Sequence, residues 1–153
     1  MLEPADERLL LDEREIRFIA DELFILTDRK EWALARALFV DGTIEVDMSS
    51  LVGGRPVRVT AAQLFAGFAA GLHPQKQSHH MATNYRIRIE GERATLWAHG
   101  YSWNRLVGRS ELWETWGNYE LGFAKTPMGW RLSAFRYIAK YNRGDDSIRT
   151  HTI

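Results

Sequence analysis

Strand-forming segments fill the second half of the chain. Residues 76 to 90 and 93 to 106 flank Gly91-Glu92, a pair suited to a tight two-residue turn, and residues 112 to 125 and 130 to 141 flank Thr126-Pro127-Met128-Gly129, a second hairpin. A sheet of this extent must bury one face, so the preceding residues have to supply its cover. They read as helices. From Asp12, the residues Ile16, Ile19, Ala20, Leu23, Leu26 and Thr27 recur at three- and four-residue spacing among charged neighbours, which predicts an amphipathic helix ending near Arg29. Lys30 to Leu38 give a second, shorter helix. Asp41-Gly42 turns into a strand reaching Met48, and Gly53, Gly54 and Pro56 mark a loop. Thr60 is a good N-cap for a third helix, Ala61 to Leu72, which His73-Pro74 ends. The expected fold class is α+β, with a cone-shaped, strongly curved antiparallel sheet wrapped over three N-terminal helices. Residues 12–141 form the single domain. Residues 1–11 are a charged lead in which Leu9-Leu10-Leu11 docks loosely, and residues 142–153, lacking an apolar period, read as a tail in preference to a lid.

Composition removes several classes of function. With twenty basic and twenty acidic residues and no basic run interleaved with aromatics, the electrostatic footprint of nucleic-acid binding is missing. There is no cysteine, so disulfides and thiol chemistry are excluded. The N-terminus is acidic where a signal peptide would be basic, and no apolar run approaches membrane-spanning length, so a cytoplasmic protein with no membrane partner is expected. The many aromatic residues suit either a solid core or a cavity for a small hydrophobic ligand.

Polar and titratable groups enter the strand pattern at Gln-Ser-His-His-Met-Ala-Thr-Asn-Tyr, residues 77 to 85. Neighbouring strand residues point to opposite faces, so either His79 or His80 is turned inward. If Glu90 pairs with Arg93 across the turn and the ladder runs on unbroken, Asn84 meets His99, Ala82 meets Tyr101 and His80 meets Trp103, all on one face. The apolar cluster near the turn, Ile87, Ile89, Ala94 and Leu96, lies on the other face, and that switch predicts a bulge or bend, with Gly100 as its candidate. On the second hairpin the same exercise groups Leu121 and Phe123 with Leu132 and Ala134, sets Tyr119 beside Arg136, and continues the face through Trp113. Asp28 is an acid at a helix C-terminus, where the dipole disfavours it; it either caps the turn or looks into a cavity. No metal-ligand spacing such as His-Glu-x-x-His occurs, Ser78 and Ser102 sit in no nucleophile elbow, and Gly53-Gly54-Arg55 lacks the helix N-terminus that a phosphate site needs.

The order of helix, Asp28-Arg29-Lys30-Glu31-Trp32 turn, strand with Asp47-Met48, helix, Ser78-His79-His80 with Asn84, and the turn Glu90-Gly91-Glu92-Arg93 resembles the SnoaL-like group of the nuclear transport factor 2-like superfamily, over roughly Asp12 to Tyr141. The resemblance implies a cystatin-like α+β barrel and a homodimer. Among its enzymes the layout is nearest scytalone dehydratase and the bile-acid dehydratases, and it puts Asp28 and His80 at the positions of their acid/base pair. It also departs from them: Thr27 stands where a tyrosine precedes the aspartate, a second tyrosine falls near Met48, and a second catalytic histidine near Arg105, with His99 as its stand-in. The implied activity is a cofactor-independent dehydration or isomerisation of a hydroxylated cyclic or polyketide-like molecule, with Asn84, Tyr101 or Tyr119 donating to the developing enolate and Trp103 and Trp113 in the wall. The alternative is a non-catalytic binding or assembly module of the same fold, such as a dioxygenase small-subunit-like protein.

Overall fold

The computed structural model of the protein describes Met1 and residues 3–153; Leu2, in the expected N-terminal lead, lies outside the described residues. The first helix, α1, spans Pro4–Asp28 and so begins well before Asp12. Pro4 suits a first helical turn, where its missing N–H costs nothing, and Asp6 and Glu7 complement the dipole there. The Leu9-Leu10-Leu11 run does not dock: all three side chains are exposed, because the buried stripe starts only at Ile16. Lys30 adopts a left-handed conformation (φ 57°) just past the end of α1, and Glu31 N–H closes on the Leu26 carbonyl to finish it.

Helix α2 (Trp32–Arg36), strand β1 (Thr43–Asp47), a single turn α3 (Ser49–Val52), strand β2 (Val57–Thr60) and helix α4 (Ala61–Gly71) follow. Thr60 caps α4 reciprocally with Gln63, as its position predicts. The region after Pro56 is not all loop, since β2 pairs antiparallel with β1. Strands β3 (Lys76–Glu90), β4 (Arg93–Leu106), β5 (Trp113–Thr126) and β6 (Gly129–Gly144) then form a meander, and the six-stranded, unclosed sheet runs β2-β1-β6-β5-β4-β3. One pair, β1 with β6, is parallel.

The concave face of this curved sheet packs on α1, α2 and α4 around Ile16, Leu23, Phe65, Leu96, Phe123, Trp130 and Leu132. Trp130 is fully buried, and its indole N–H donates to Asp12 (2.9 Å), which Lys125 also approaches (2.9 Å), tying α1 to the second hairpin. Burying one tryptophan of ~150–250 Å² is worth about 4–6 kcal/mol as an upper bound.

Register is where structure and sequence expectation part. Glu90 does pair with Arg93, and the ladder runs without a break to Arg86–Trp97, but Thr83 then pairs with His99, so Asn84 and Tyr85 together face Ala98. This is a β-bulge, with Asn84 left-handed (φ 59°). It flips parity: Lys76, Ser78, His80 and Ala82 point inward before it, and Tyr85, Ile87 and Ile89 after it. The apolar switch thus lies in β3 at Asn84 and not at Gly100. Gly100 has another job, since a Cβ there would run into the Tyr119 ring. In the second hairpin a bulge at Gly122/Phe123 sets Leu121 opposite Phe135 and Tyr119 opposite Tyr137; Ala134 and Arg136 instead face Gly122 and Glu120.

The C-terminal residues are not a loose tail. After β6, helix α5 (Asp146–Thr150) folds back with Ile148 buried, and Lys76 and His73 meet the backbone of Arg149 and the ring of His151. No described helix is long and apolar enough to cross a membrane.

Candidate functional site

Asp28 ends α1 against the edge strand β3, and three donors from that strand converge on its carboxylate. The Ser78 hydroxyl (2.8 Å) and the His80 ring nitrogen Nδ1 (2.6 Å) reach Oδ1, and the His80 backbone N–H (2.8 Å) reaches Oδ2. The acid caps none of its own turn, whose carbonyls are met by Arg29 and Lys30 N–H groups. A carboxylate at a helix C-terminus costs about 0.3–1 kcal/mol through the dipole, and charge-assisted hydrogen bonds offset it. A carboxylate oxygen accepts, so Nδ1 of His80 carries a proton, and in the neutral ring this tautomer makes Nε2 the lone-pair acceptor. Both side chains keep under a fifth of their surface exposed, and the Phe24 ring stacks on the imidazole at 6.2 Å.

His80 forms part of the wall of a cavity of about 210 Å³ between α1, α4, the sheet and α5. Leu23, Phe24, Phe68 and Phe135 supply apolar surface. The polar side comes from the inward residues of β3, β4 and β5: Lys76, His80, Ser102, Asn104, Thr115 and Tyr119. Burial first, then Tyr137 and the Asp28 carboxylate, push the Tyr119 phenol above its ordinary range, so it stays a proton donor. Tyr137 is held protonated chiefly by burial, against a hydrogen bond to Thr115 (2.8 Å). Among the described residues no group of three or more His, Asp or Glu side chains is placed to hold a metal ion.

Of the residues singled out from sequence, His80, Met48, Trp113 and Tyr119 line this cavity, and Asp28 reaches it through His80. His79 lies on the outer face, stacked on Trp103 at 5.9 Å. The expected polar patch is not assembled, because the bulge moves His80 from Trp103 to Ser102. Tyr101 and Trp103 therefore belong to the outer face, where Tyr101 donates to Glu114 (2.6 Å) and its phenol is pushed up to about 12 by burial and that carboxylate. Arg105 binds Gln77 (2.6 Å), also outside. His99 and Asn84 bond each other (3.1 Å) at the exposed bulge. Sequence reasoning missed Lys76, Ser102 and Asn104 as site residues, and it set Thr115 on the face of Trp113 and Tyr119 without giving it a role. The signal for two of them was present: every even residue of β4 from Ala94 to Leu106 is apolar or small or uncharged polar, an unbroken alternation that puts Ser102 and Asn104 inward.

A family model described as the SnoaL-like domain matches residues 8–136. Comparison with solved structures finds the Kfla4162 protein of Kribbella flavida at a TM-score of 0.82 and 24% identity, covering 88% of this chain and 95% of that one. A candidate scytalone dehydratase from Novosphingobium aromaticivorans superposes with a TM-score of 0.74 at 14% identity, over 92% and 91% of the two chains. The hexachlorocyclohexane dehydrochlorinase LinA-type3 of Novosphingobium barchaimii gives 0.77 at 13% identity, over 94% and 97%. A comparison with the curated proteins found no match.

Proposed function

Since the chain belongs to the SnoaL-like family, within the NTF2-like superfamily, we propose that it is a cofactor-independent, dehydratase-like lyase or isomerase acting on a hydroxylated cyclic or polyketide-like small molecule. The observation that carries this reading is the Asp28–His80 pair, with Nδ1 held by the carboxylate and the imidazole in the cavity wall. Nε2 of His80 takes a proton from the carbon next to a carbonyl, and the electron pair moves onto the carbonyl oxygen. The imidazolium then returns that proton to the departing hydroxyl, releasing water and leaving a conjugated double bond. Asp28 fixes the tautomer and stabilises the imidazolium, and Tyr119 is the donor nearest in kind for the enolate oxygen. Two structural neighbours, a candidate dehydratase and a dehydrochlorinase, are named for eliminations, which supports the reaction class. The cavity is smaller than the ~300–1,000 Å³ typical of drug-sized sites, which favours one or two rings over a polycycle.

Asp28→Asn tests the reading. Turnover of 3-hydroxycyclohexanone to its enone should drop about 10²–10⁴-fold with the melting temperature near wild type, and an unchanged rate would remove Asp28 from the chemistry.

A second reading, a non-catalytic module assembling through its sheet in a cytoplasmic homodimer, is favoured by the outer face. There Tyr101, Trp116 and Tyr141 form a run of rings at 5.1 and 5.6 Å, with Met81 and Tyr141 exposed. Sedimentation velocity tests the dimer itself: a dimer that Tyr141→Arg converts to monomer is the expected result, and a wild-type monomer at micromolar concentration excludes it.

A further inference from the structure

Two groups in the cavity wall have hydrogen-bonding capacity that the fold leaves unused. Lys76 opens β3 and is 1% exposed. Its Nζ donates to the carbonyls of Gly71 (2.8 Å), at the end of α4, and Arg149 (2.9 Å), in α5. An ammonium has three N–H donors, so one is uncommitted, and among the described residues no carboxylate lies within ion-pair distance of it. Buried charges are ordinarily paired, and two neutral carbonyls are a thin substitute for a counter-ion. Burial, then the charge of Arg149, lowers the affinity of Lys76 for its proton, which is the electrostatic sign of the same deficit. The cavity holds no remedy: its other cation, Arg149, is already paired with Asp146 (2.8 Å), and no Asp or Glu lines it.

Asn104 is the second group. It is 8% exposed, and its Oδ1 is buried with no hydrogen-bond partner. A buried acceptor without a donor is costly, so it needs an explanation. Asn104 pairs with Ser78, and Lys76 is two residues from Ser78 on the same inward face, so the two unmet groups are diagonal neighbours across β3 and β4. His80 lies one step further along that face, opposite Ser102.

We propose that Lys76 and Asn104 form the polar end of a ligand site for a small cyclic hydroxy acid, whose carboxylate accepts the free N–H of Lys76 and whose hydroxyl donates to Oδ1 of Asn104. The carboxylate is the missing counter-ion, and the hydroxyl is the missing donor. A neutral alcohol satisfies only Asn104, and an acid without a hydroxyl satisfies only Lys76. The inference rests on the proposed function in sharing its cavity, and it is tested by binding, which needs no turnover.

The experiment is calorimetric titration of the full chain with three probes: 3-hydroxycyclohexanecarboxylate, cyclohexanecarboxylate and 3-(hydroxymethyl)cyclohexanol. The hydroxy acid should bind about tenfold or more tightly than each of the others. Lys76→Met should erase the preference over the diol, and Asn104→Leu the preference over the plain acid. Asn104→Leu should also raise the melting temperature by about 2–4 °C, because it removes an unmet buried acceptor, a gain that no purely structural role for the amide would give. Lys76 also holds two carbonyls, so if Lys76→Met does not fold, the preferences of the wild type decide. Equal affinity for the three probes, or no binding of the hydroxy acid at millimolar concentration, overturns the proposal. Asp28→Asn should bind the hydroxy acid as wild type does. Lost turnover with retained binding in that variant leaves this inference standing, whereas turnover with no probe preference sinks it and spares the acid/base pair.

Discussion

Asn84 shows how much one residue can decide. An asparagine tolerates the left-handed region better than other residues with a Cβ, and its φ of 59° lets the strand take in one extra position. That position reverses which residues face the core, so His80 and Ile87 both point inward although their numbers differ in parity. Asn84→Gly should therefore leave stability within about 0.5 kcal/mol, since glycine accepts the same φ and loses only the exposed bond to His99. Asn84→Val should cost roughly 1–2 kcal/mol, because a β-branched residue is strained there. Urea unfolding of the three proteins checks this, and equal midpoints would mean the bulge does not depend on the residue that occupies it. Residue types alone marked an acid where the helix dipole repels it and an inward histidine, His79 or His80; it was the family resemblance that joined Asp28 to His80, and the two side chains are in contact. The surroundings of the pair were not legible, because an unbroken register predicts Trp103 beside His80 where the bulge puts Ser102.

At the scale of elements, periodicity gave α4, the two hairpins and the core stripe of α1, since these follow from local repetition. It failed where long-range packing or a short segment governs. Residues Pro4 to Leu11 are helical without an apolar stripe, extending α1 on the strength of its buried half. Strand β2 is four residues between a loop and a helix cap, too short to alternate visibly. The parallel pairing of β1 with β6 joins segments nearly ninety residues apart, and no local pattern encodes it. Helix α5 has a single buried side chain, Ile148, so nothing in its own composition marks it as docked. Its anchors belong to other elements: the Lys76 ammonium, the His73 ring and the Leu112 carbonyl that accepts the Asp145 N–H. A sequence reading sees a polar tail, whereas the fold uses it to close one end of the cavity.

At the scale of the whole molecule, that closure joins two regions far apart in sequence, the end of α4 and the C-terminus, through a pair of histidines. The Gln75 N–H donates to Nδ1 of His73 (3.2 Å), so Nε2 of His73 carries the proton and donates to Nδ1 of His151 (2.9 Å). The Gln75 bond requires His73 to remain neutral, because a protonated Nδ1 cannot accept, whereas Nε2 donates to His151 in either charge state. Burial first, then the charges of Lys76 and His151 and last that of Lys30, hold His73 below its ordinary value of 6.5, against an opposing contribution from the backbone of His151. The unfolded chain accepts a proton near pH 6.5 that the native His73 refuses, so below that pH the unfolded state binds more protons. The contribution of this contact is therefore fully present above pH 6.5 and declines as the pH falls from there towards the lowered native value. Carboxylates held below their ordinary range, such as Asp12, Asp47 and Asp146, start from 3.8 and lose their contributions in a more acid window, so the two effects separate. The expected outcome is a melting temperature that drops between pH 7.5 and 5.5 and a C-terminal segment that becomes cleavable by protease in the same interval, as the His73 ring that anchors α5 loses the Gln75 bond that orients it. His73→Gln, which keeps a donor to His151 but cannot titrate, should flatten both curves over that interval. If wild type and His73→Gln instead fall in parallel, the closure of the cavity does not depend on the charge state of His73.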